Sequence, residues 1–355
     1  MKMLRAGALL ATAALIAACG GATPTTAPPT AAPPTAPGAT GGPTADPNPS
    51  PGAPEKTTLK IVQGSSPDYT QIALTKSFEY LKDRGITVDF QSVDDTDVAT
   101  RAVIANQADI VVNSLFFGIN AVKEEIPLVT IMADAQTLDY LLVSIKTVTD
   151  VKQLEGGTVG INQPGDLGAT VADQCLKFSN IDVTKVDFVQ VGGTSARMAA
   201  LVAGQIMAAP AHAAEALNAQ REGGLNVLVD CGKAIGSFLQ TGATVTTDWL
   251  EENPNLAQHF VDAYIDALRW AEDNKDEYIA LSKTVVPDLA DDLRGPAYDV
   301  FKDVGLFATN GGLNADSIKK LTDIGLDAKS IEAPVPDNWY TMDLIESYLA
   351  RNGTR

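Results

Sequence analysis

The chain has 355 residues, 45% hydrophobic and 20% charged, with 26 basic side chains against 44 acidic ones and a net charge of −18. A surface this acidic disfavours nucleic acid and anionic lipid headgroups, and the length is ample for two packed domains. Neither property selects a fold.

Lys2 and Arg5 form a short positive head, followed by an uncharged, mostly apolar run over residues 6–16. That run falls short of the about 20 residues a spanning helix needs, but it matches the apolar core of a secretory signal. The string Leu15-Ile16-Ala17-Ala18-Cys19-Gly20 resembles the lipobox of bacterial lipoproteins. The resemblance implies a signal peptide over 1–18, cleavage before Cys19, and a lipid on the Cys19 thiol. The chain would then sit on the extracytoplasmic face of the cell membrane, held by acyl chains in the bilayer. The other reading is an ordinary cleaved signal with an incidental Cys.

Residues 19–56 read as a spacer. Eleven of the twenty prolines fall between 20 and 54, among Ala, Thr and Gly, with Asp46 as the lone charge. Such a segment has no apolar face to bury and cannot offset the entropy of ordering. Proline keeps it extended at about 3.1 Å per residue, a reach on the order of 100 Å. With Lys2 and Arg5 removed from the 26 basic residues, 24 remain against 44 acidic ones.

From residue 57 strands alternate with helices. Residues 59–62 read as a strand and 64–69 as a loop; a helix follows with Leu74, Phe78 and Leu81 on one face, stopped by Gly85. A strand over 88–93, a helix over 98–107 and short buried strands over 110–112, 128–132 and 140–145 come next. The pattern then restarts with a strand over 158–161, a turn at Gln163-Pro164-Gly165-Asp166, and a helix carrying Leu167, Val171, Cys175 and Phe178 on one stripe. Strands over 186–191, 208–211 and 227–229 complete a second set. Beyond Pro254 the chain is largely helical, with Leu256, Phe260, Tyr264 and Leu268 marking a buried face. The order implies an α/β protein with mainly parallel sheets and helices on both faces.

Two α/β halves in series predict two lobes with a cleft between them. In open α/β sheets ligands sit beyond the carboxyl ends of the strands, against loops and helix N-termini. The loops so placed are 64–69, 113–117, 136–140, 163–168, 192–195 and 210–212.

Several strings together carry a family resemblance: Lys60-Ile61-Val62-Gln63-Gly64, Ala108-Asp109-Ile110-Val111, Gly156-Gly157-Thr158-Val159-Gly160-Ile161, and Val189-Gln190-Val191-Gly192-Gly193 with Arg197-Met198-Ala199-Ala200-Leu201-Val202-Ala203-Gly204. The chain resembles solute-binding proteins of ABC importers with the type II periplasmic-binding-protein fold, in the branch that binds thiamine-precursor pyrimidines, nitrate, sulfonates or riboflavin. It departs from many members at Gln107 and at Gly204-Gln205-Ile206-Met207-Ala208. The resemblance implies a discontinuous first lobe (57–145 and 241–350), a second lobe inserted at 146–240, an ABC-type permease as partner, and no cofactor.

The cleft loops contain Asp68, Asp139 and Asp166 but neither Lys nor Arg, which disfavours small anions. They offer aromatic faces at Tyr69, Phe116, Phe117 and Tyr140, and hydrogen-bonding groups at Ser65, Ser66, Asn113, Gln136, Gln163 and Thr194. His212 follows a strand at the same end. Stacking faces beside amides and hydroxyls suit a flat, neutral, polar heteroaromatic. Within the family that description fits riboflavin first, a thiamine-precursor pyrimidine second, and a sulfonate or nitrate third. For Tyr69, Phe116 and Phe117 the competing reading is core packing.

Cys175 and Cys231 remain once Cys19 is set aside; an oxidising location permits a bridge, while Cys175 also suits a buried apolar stripe. The acidic residues lack Ca²⁺-loop spacing, and no metal site is expected. The fold is shared with a pyrimidine-synthase branch that uses clustered Cys and His. Here there is no Cys cluster, His212 and His259 are isolated, and the Ser-hydrolase, zincin and phosphate-loop strings are missing, so an enzyme is the disfavoured reading.

Overall fold

The structure, a computed structural model, describes residues 50–64, 69–93 and 95–355. The signal segment, Cys19, the spacer as far as residue 49, and Ser65 and Ser66 lie outside the described residues.

Strands β1 (Thr58–Gln63), β2 (Thr87–Ser92), β3 (Ile110–Ser114) and β4 (Leu128–Ala133) alternate with helices α1 (Ile72–Asp83), α2 (Thr96–Ile104) and α3 (Leu115–Lys123). The second run consists of β5 (Tyr140–Ser144), β6 (Thr158–Ile161), β7 (Asp187–Gln190), β8 (Ala208–His212) and β9 (Asn226–Asp230). Its helices are α4 (Leu167–Phe178), α5 (Thr194–Val202), α6 (Ala213–Gly223) and α7 (Cys231–Ile235). Strand β10 (Thr241–Thr246) leads into α8 (Thr247–Glu252), α9 (Pro254–Asp273), α10 (Lys275–Val285), α11 (Asp291–Val304), α12 (Ala315–Asp327) and α13 (Asp343–Asn352).

Two five-stranded sheets result, ordered β2-β1-β3-β10-β4 and β7-β6-β8-β5-β9. They repeat one plan. In the first lobe β1 runs parallel to β2 and β3, and β10 lies antiparallel between β3 and β4. In the second, β6 runs parallel to β7 and β8, and β5 lies antiparallel between β8 and β9. The antiparallel strand of each lobe is the one that enters from the other lobe.

That exchange moves a boundary. Strand β5 belongs to the second sheet, so the first crossing is 134–139 rather than near 146; the return crossing is 236–240. All of β5 is buried, and a short run buried on both faces carries no mark of which sheet it joins. The two crossings are bonded to each other: Phe238 N donates to Gln136 O (2.9 Å), Gln240 N to Ala135 O (3.0 Å) and Asp134 N to Thr241 O (3.1 Å).

The spacer boundary also moves, toward the N-terminus. Glu55 accepts from Asn255 N (3.0 Å) and Leu256 N (2.9 Å), capping the start of α9, and Gly52 N donates to Asn255 Oδ1 (2.8 Å). Residues 52–56 are thus part of the folded body. On α9 the residues Leu256, Phe260, Tyr264 and Leu268 are all buried, as their spacing requires, with Pro254 in the first turn. On α4 the expected stripe holds at Val171 and Cys175 and fails at Phe178, which is half exposed at the helix end. Cys175 on α4 and Cys231 on α7 are joined by a disulfide.

Candidate functional site

A cleft of about 660 Å³ lies between the lobes, inside the range of roughly 300–1,000 Å³ typical of small-molecule sites. Its walls come from the carboxyl ends of five strands: Gly64 after β1, Asn113 and Ser114 of β3, Asn162 and Gln163 after β6, Gly193 and Thr194 after β7, and His212 of β8. The cleft thus lies where the strand-end rule expects a ligand site. Gln240 and Thr241, where the chain returns to the first lobe, complete the floor.

On the first-lobe side Asn113 donates through Nδ2 to Thr100 Oγ1 (2.9 Å). Ser114 Oγ and Gln240 Oε1 are buried and have no hydrogen-bond partner among the described residues. A buried polar atom left unpaired costs about 1–3 kcal/mol, and both residues belong to the lining of the cleft. The N-terminus of α3 opens here too, without a side-chain cap.

On the second-lobe side, Asp166 caps α4 through Ala169 N (2.7 Å) and accepts from Asn162 Nδ2 (2.6 Å), while burial pushes its carboxyl above the usual range. The turn before α5 needs Gly192, whose φ of 114° side-chain-bearing residues rarely adopt. Arg197, 2% exposed, holds that turn: Nη1 donates to Gly192 O (2.7 Å), Nη2 to Thr194 Oγ1 (3.0 Å) and Nε to Pro210 O (3.2 Å). Burial works against the guanidinium charge, and the neighbouring Asp166 and Glu215 support it. The buried Asp139 lies 2.9 and 3.1 Å from His212 Nδ1 through its two oxygens and accepts from Ala213 N (3.3 Å). The Tyr140 ring packs on His212 with centroids 4.2 Å apart.

Of the residues singled out from sequence, Asn113, Tyr140, Gln163, Asp166, Thr194 and His212 are brought together in this cleft. Three are not. Tyr69 is 2% exposed, its hydroxyl donates to Arg294 O (2.6 Å), and its ring packs against Tyr278 and Phe301; the loop position concealed a core residue. Phe116 packs on Phe238 and lines only a smaller neighbouring hollow, while Phe117 reaches the cleft, because consecutive residues at a helix start point apart. Gln136 lies in the first crossing, where Nε2 donates to Gly305 O (3.2 Å).

Arg197 was missed. It sits inside α5, beyond the loop, but side chains lean toward a helix N-terminus, and an Arg one turn in reaches back to the loop. A second, smaller hollow of about 230 Å³ shares Phe117, Gln163 and Asp166 with the cleft and adds Phe116, Asn120 and Ser330. Among the described residues no group of three or more His, Cys, Asp or Glu side chains could hold a metal ion, and no helix is long and apolar enough to cross a membrane.

A family model described as NMT1/THI5 like matches residues 66–278, more than half of the chain. No curated protein sequence matches. Solved structures do. A zinc-bound ligand-binding component of an ABC-type import system from Staphylococcus aureus superposes with a TM-score of 0.70 at 11% identity, over 82% of this chain and 98% of that one. The periplasmic aliphatic sulphonate-binding protein of Escherichia coli gives 0.63 at 16% identity, over 79% and 90%. The desulfurization enzyme DSZB gives 0.60 at 15% identity, over 84% and 100%. At such identities the likeness establishes the periplasmic-binding-protein fold and nothing finer.

Proposed function

The chain belongs to the NMT1/THI5-like family, and from that premise we propose that it is the solute-binding component of an ABC-type importer, held outside the cytosol by a lipid on Cys19. The observation that carries the reading is the inter-lobe cleft, walled by the carboxyl ends of strands from both sheets. The importer components among the structural neighbours support it. Two short crossings, 134–139 and 236–240, are where a hinge would absorb the backbone change as the lobes close on a solute, before docking on the permease.

The solute proposed is a neutral heteroaromatic, riboflavin first and a thiamine-precursor pyrimidine second. Tyr140 and Phe117 supply ring faces; Asn113, Gln163, Thr194 and Gln240 supply hydrogen bonds. A sulfonate is the second reading. Arg197 and the α5 N-terminus, which has no side-chain cap, favour it, as do the sulfonate-binding neighbours. Against it stand Asp95, Asp97, Asp166 and Glu215 in the same walls. Catalysis is the disfavoured reading, since the importer components among the neighbours are binding proteins, with one desulfurization enzyme beside them.

The test is titration of the soluble domain with riboflavin, an aminopyrimidine and an alkanesulfonate, following flavin fluorescence, melting temperature and product formation. Quenching by micromolar protein with unchanged flavin supports the proposal. Stabilisation by the alkanesulfonate alone would replace the solute, and turnover of any of the three would replace the class. A ligand at about 100 times its Kd should add about 2.7 kcal/mol of stability.

A further inference from the structure

We propose that the smaller hollow is a second subsite of the cleft, and that it takes the uncharged polyhydroxy chain of a solute whose ring lies in the main cleft. The proposal rests on the ring reading above and adds the shape of the solute to it. The two hollows share Phe117, Gln163 and Asp166 and so adjoin along these residues. At about 230 Å³ the smaller one is below the roughly 300 Å³ of a self-standing ligand site.

The walls argue for hydroxyls. Asn120 Nδ2 donates to Ser330 O (3.0 Å), and Ser330 Oγ pairs with Thr170 Oγ1 behind it. Those bonds fix the polar side of the hollow, with Gln163 on its open rim. A hydroxyl both donates and accepts, so it can meet amides, carbonyls and carboxylates alike. An anionic tail would face the Asp166 carboxyl. A cationic tail would find a single carboxyl, each of whose oxygens already accepts one hydrogen bond, from Ala169 N and from Asn162 Nδ2, and would lose its hydration on entry. An aliphatic tail would strip water from Gln163 and Asn120 without replacing it. Phe116, Phe117 and Pro164 then cover the C–H side of the chain.

Riboflavin and lumiflavin share the ring and differ in the polyhydroxy chain, so their affinities for the wild type and two variants read the subsite directly. Asn120→Gln keeps an amide for Ser330 and fills the hollow by one methylene; Asn120→Leu removes the amide, with melting curves as the folding check. The expected result is riboflavin about tenfold tighter than lumiflavin, about 1.4 kcal/mol, with that advantage lost in both variants and lumiflavin affinity unchanged. Equal affinities in the wild type, or an advantage that survives both variants, would overturn the subsite while leaving the ring reading intact. Binding of neither flavin would sink the ring reading, and the subsite with it.

Discussion

Removing the Cys175–Cys231 bridge should cost several kilocalories, because the cross-link spans 56 residues. In the chain-entropy model a loop of that size constrains the unfolded state by about 4 kcal/mol at 25 °C, less whatever residual structure the reduced chain keeps. Both cysteines are fully buried, so replacement must avoid a buried hydroxyl. The double variant Cys175→Ala, Cys231→Ala meets that condition but also deletes two packed sulfur atoms. Reduced wild type separates the two effects, since it loses the cross-link and keeps the sulfurs. For a body of this size about 2 °C per kcal/mol is expected, so calorimetry should show melting lowered by about 5–8 °C in the reduced protein. The double variant should fall slightly further. Two free thiols in protein purified without reductant, or a reduced form melting within 1 °C of the oxidised one, would refute the reasoning.

Two further outcomes follow from buried polar groups. Tyr69→Phe deletes the hydroxyl that donates to Arg294 O; urea unfolding should show a loss of about 1–2 kcal/mol, with solute affinity unchanged because the ring is in the core. Asp134 is buried with its pKa raised by desolvation, although Thr241 and Tyr264 donate to it (2.5 Å each). A carboxyl raised on folding contributes stability that is full below its unfolded value near 4 and is lost as pH rises through the folded value. Measured against Asp134→Asn, the wild-type urea midpoint should therefore fall over that window. A difference between wild type and Asp134→Asn that stays constant across the same range would contradict the assignment.

What could be read from the chain followed from periodicity, and what could not depended on partners distant in sequence. The β–α alternation, the buried face of α9 and most strand-end loops were legible because each is a local pattern of apolar residues and turn formers. Which sheet β5 joins was not, since a strand buried on both faces looks the same in either lobe. Tyr69 illustrates the same limit at one residue: its loop position suggested solvent, while its hydroxyl partner lies 225 residues away. Helix α3 and strand β10 were overlooked because Leu115-Phe116-Phe117 and Thr241-Gly242-Ala243 show no clear period of either kind. Loop 113–117 was named without singling out Ser114, and Gln240 and Thr241 at the start of β10 were not named at all, although all three line the cleft.

The preference for an uncharged solute now stands on different ground. Read from sequence, it rested on loops without Lys or Arg, and Arg197 removes that premise. The charges in the cleft are nevertheless largely engaged with one another and with the backbone. Arg197 donates to two carbonyls and a hydroxyl, Asp166 and Asp95 cap α4 and α2, and Asp139 is shared between His212 and Ala213. A group whose hydrogen bonds are made gains little from a charged ligand, which would still lose its own hydration on entry. An anion would thus meet an engaged cation and several carboxylates; a cation would meet carboxylates already serving as caps. The lining also carries the uncharged side chains of Asn113, Ser114, Gln163, Thr194 and Gln240. The proposed neutral solute would replace its lost hydration by bonding to such groups without importing a charge.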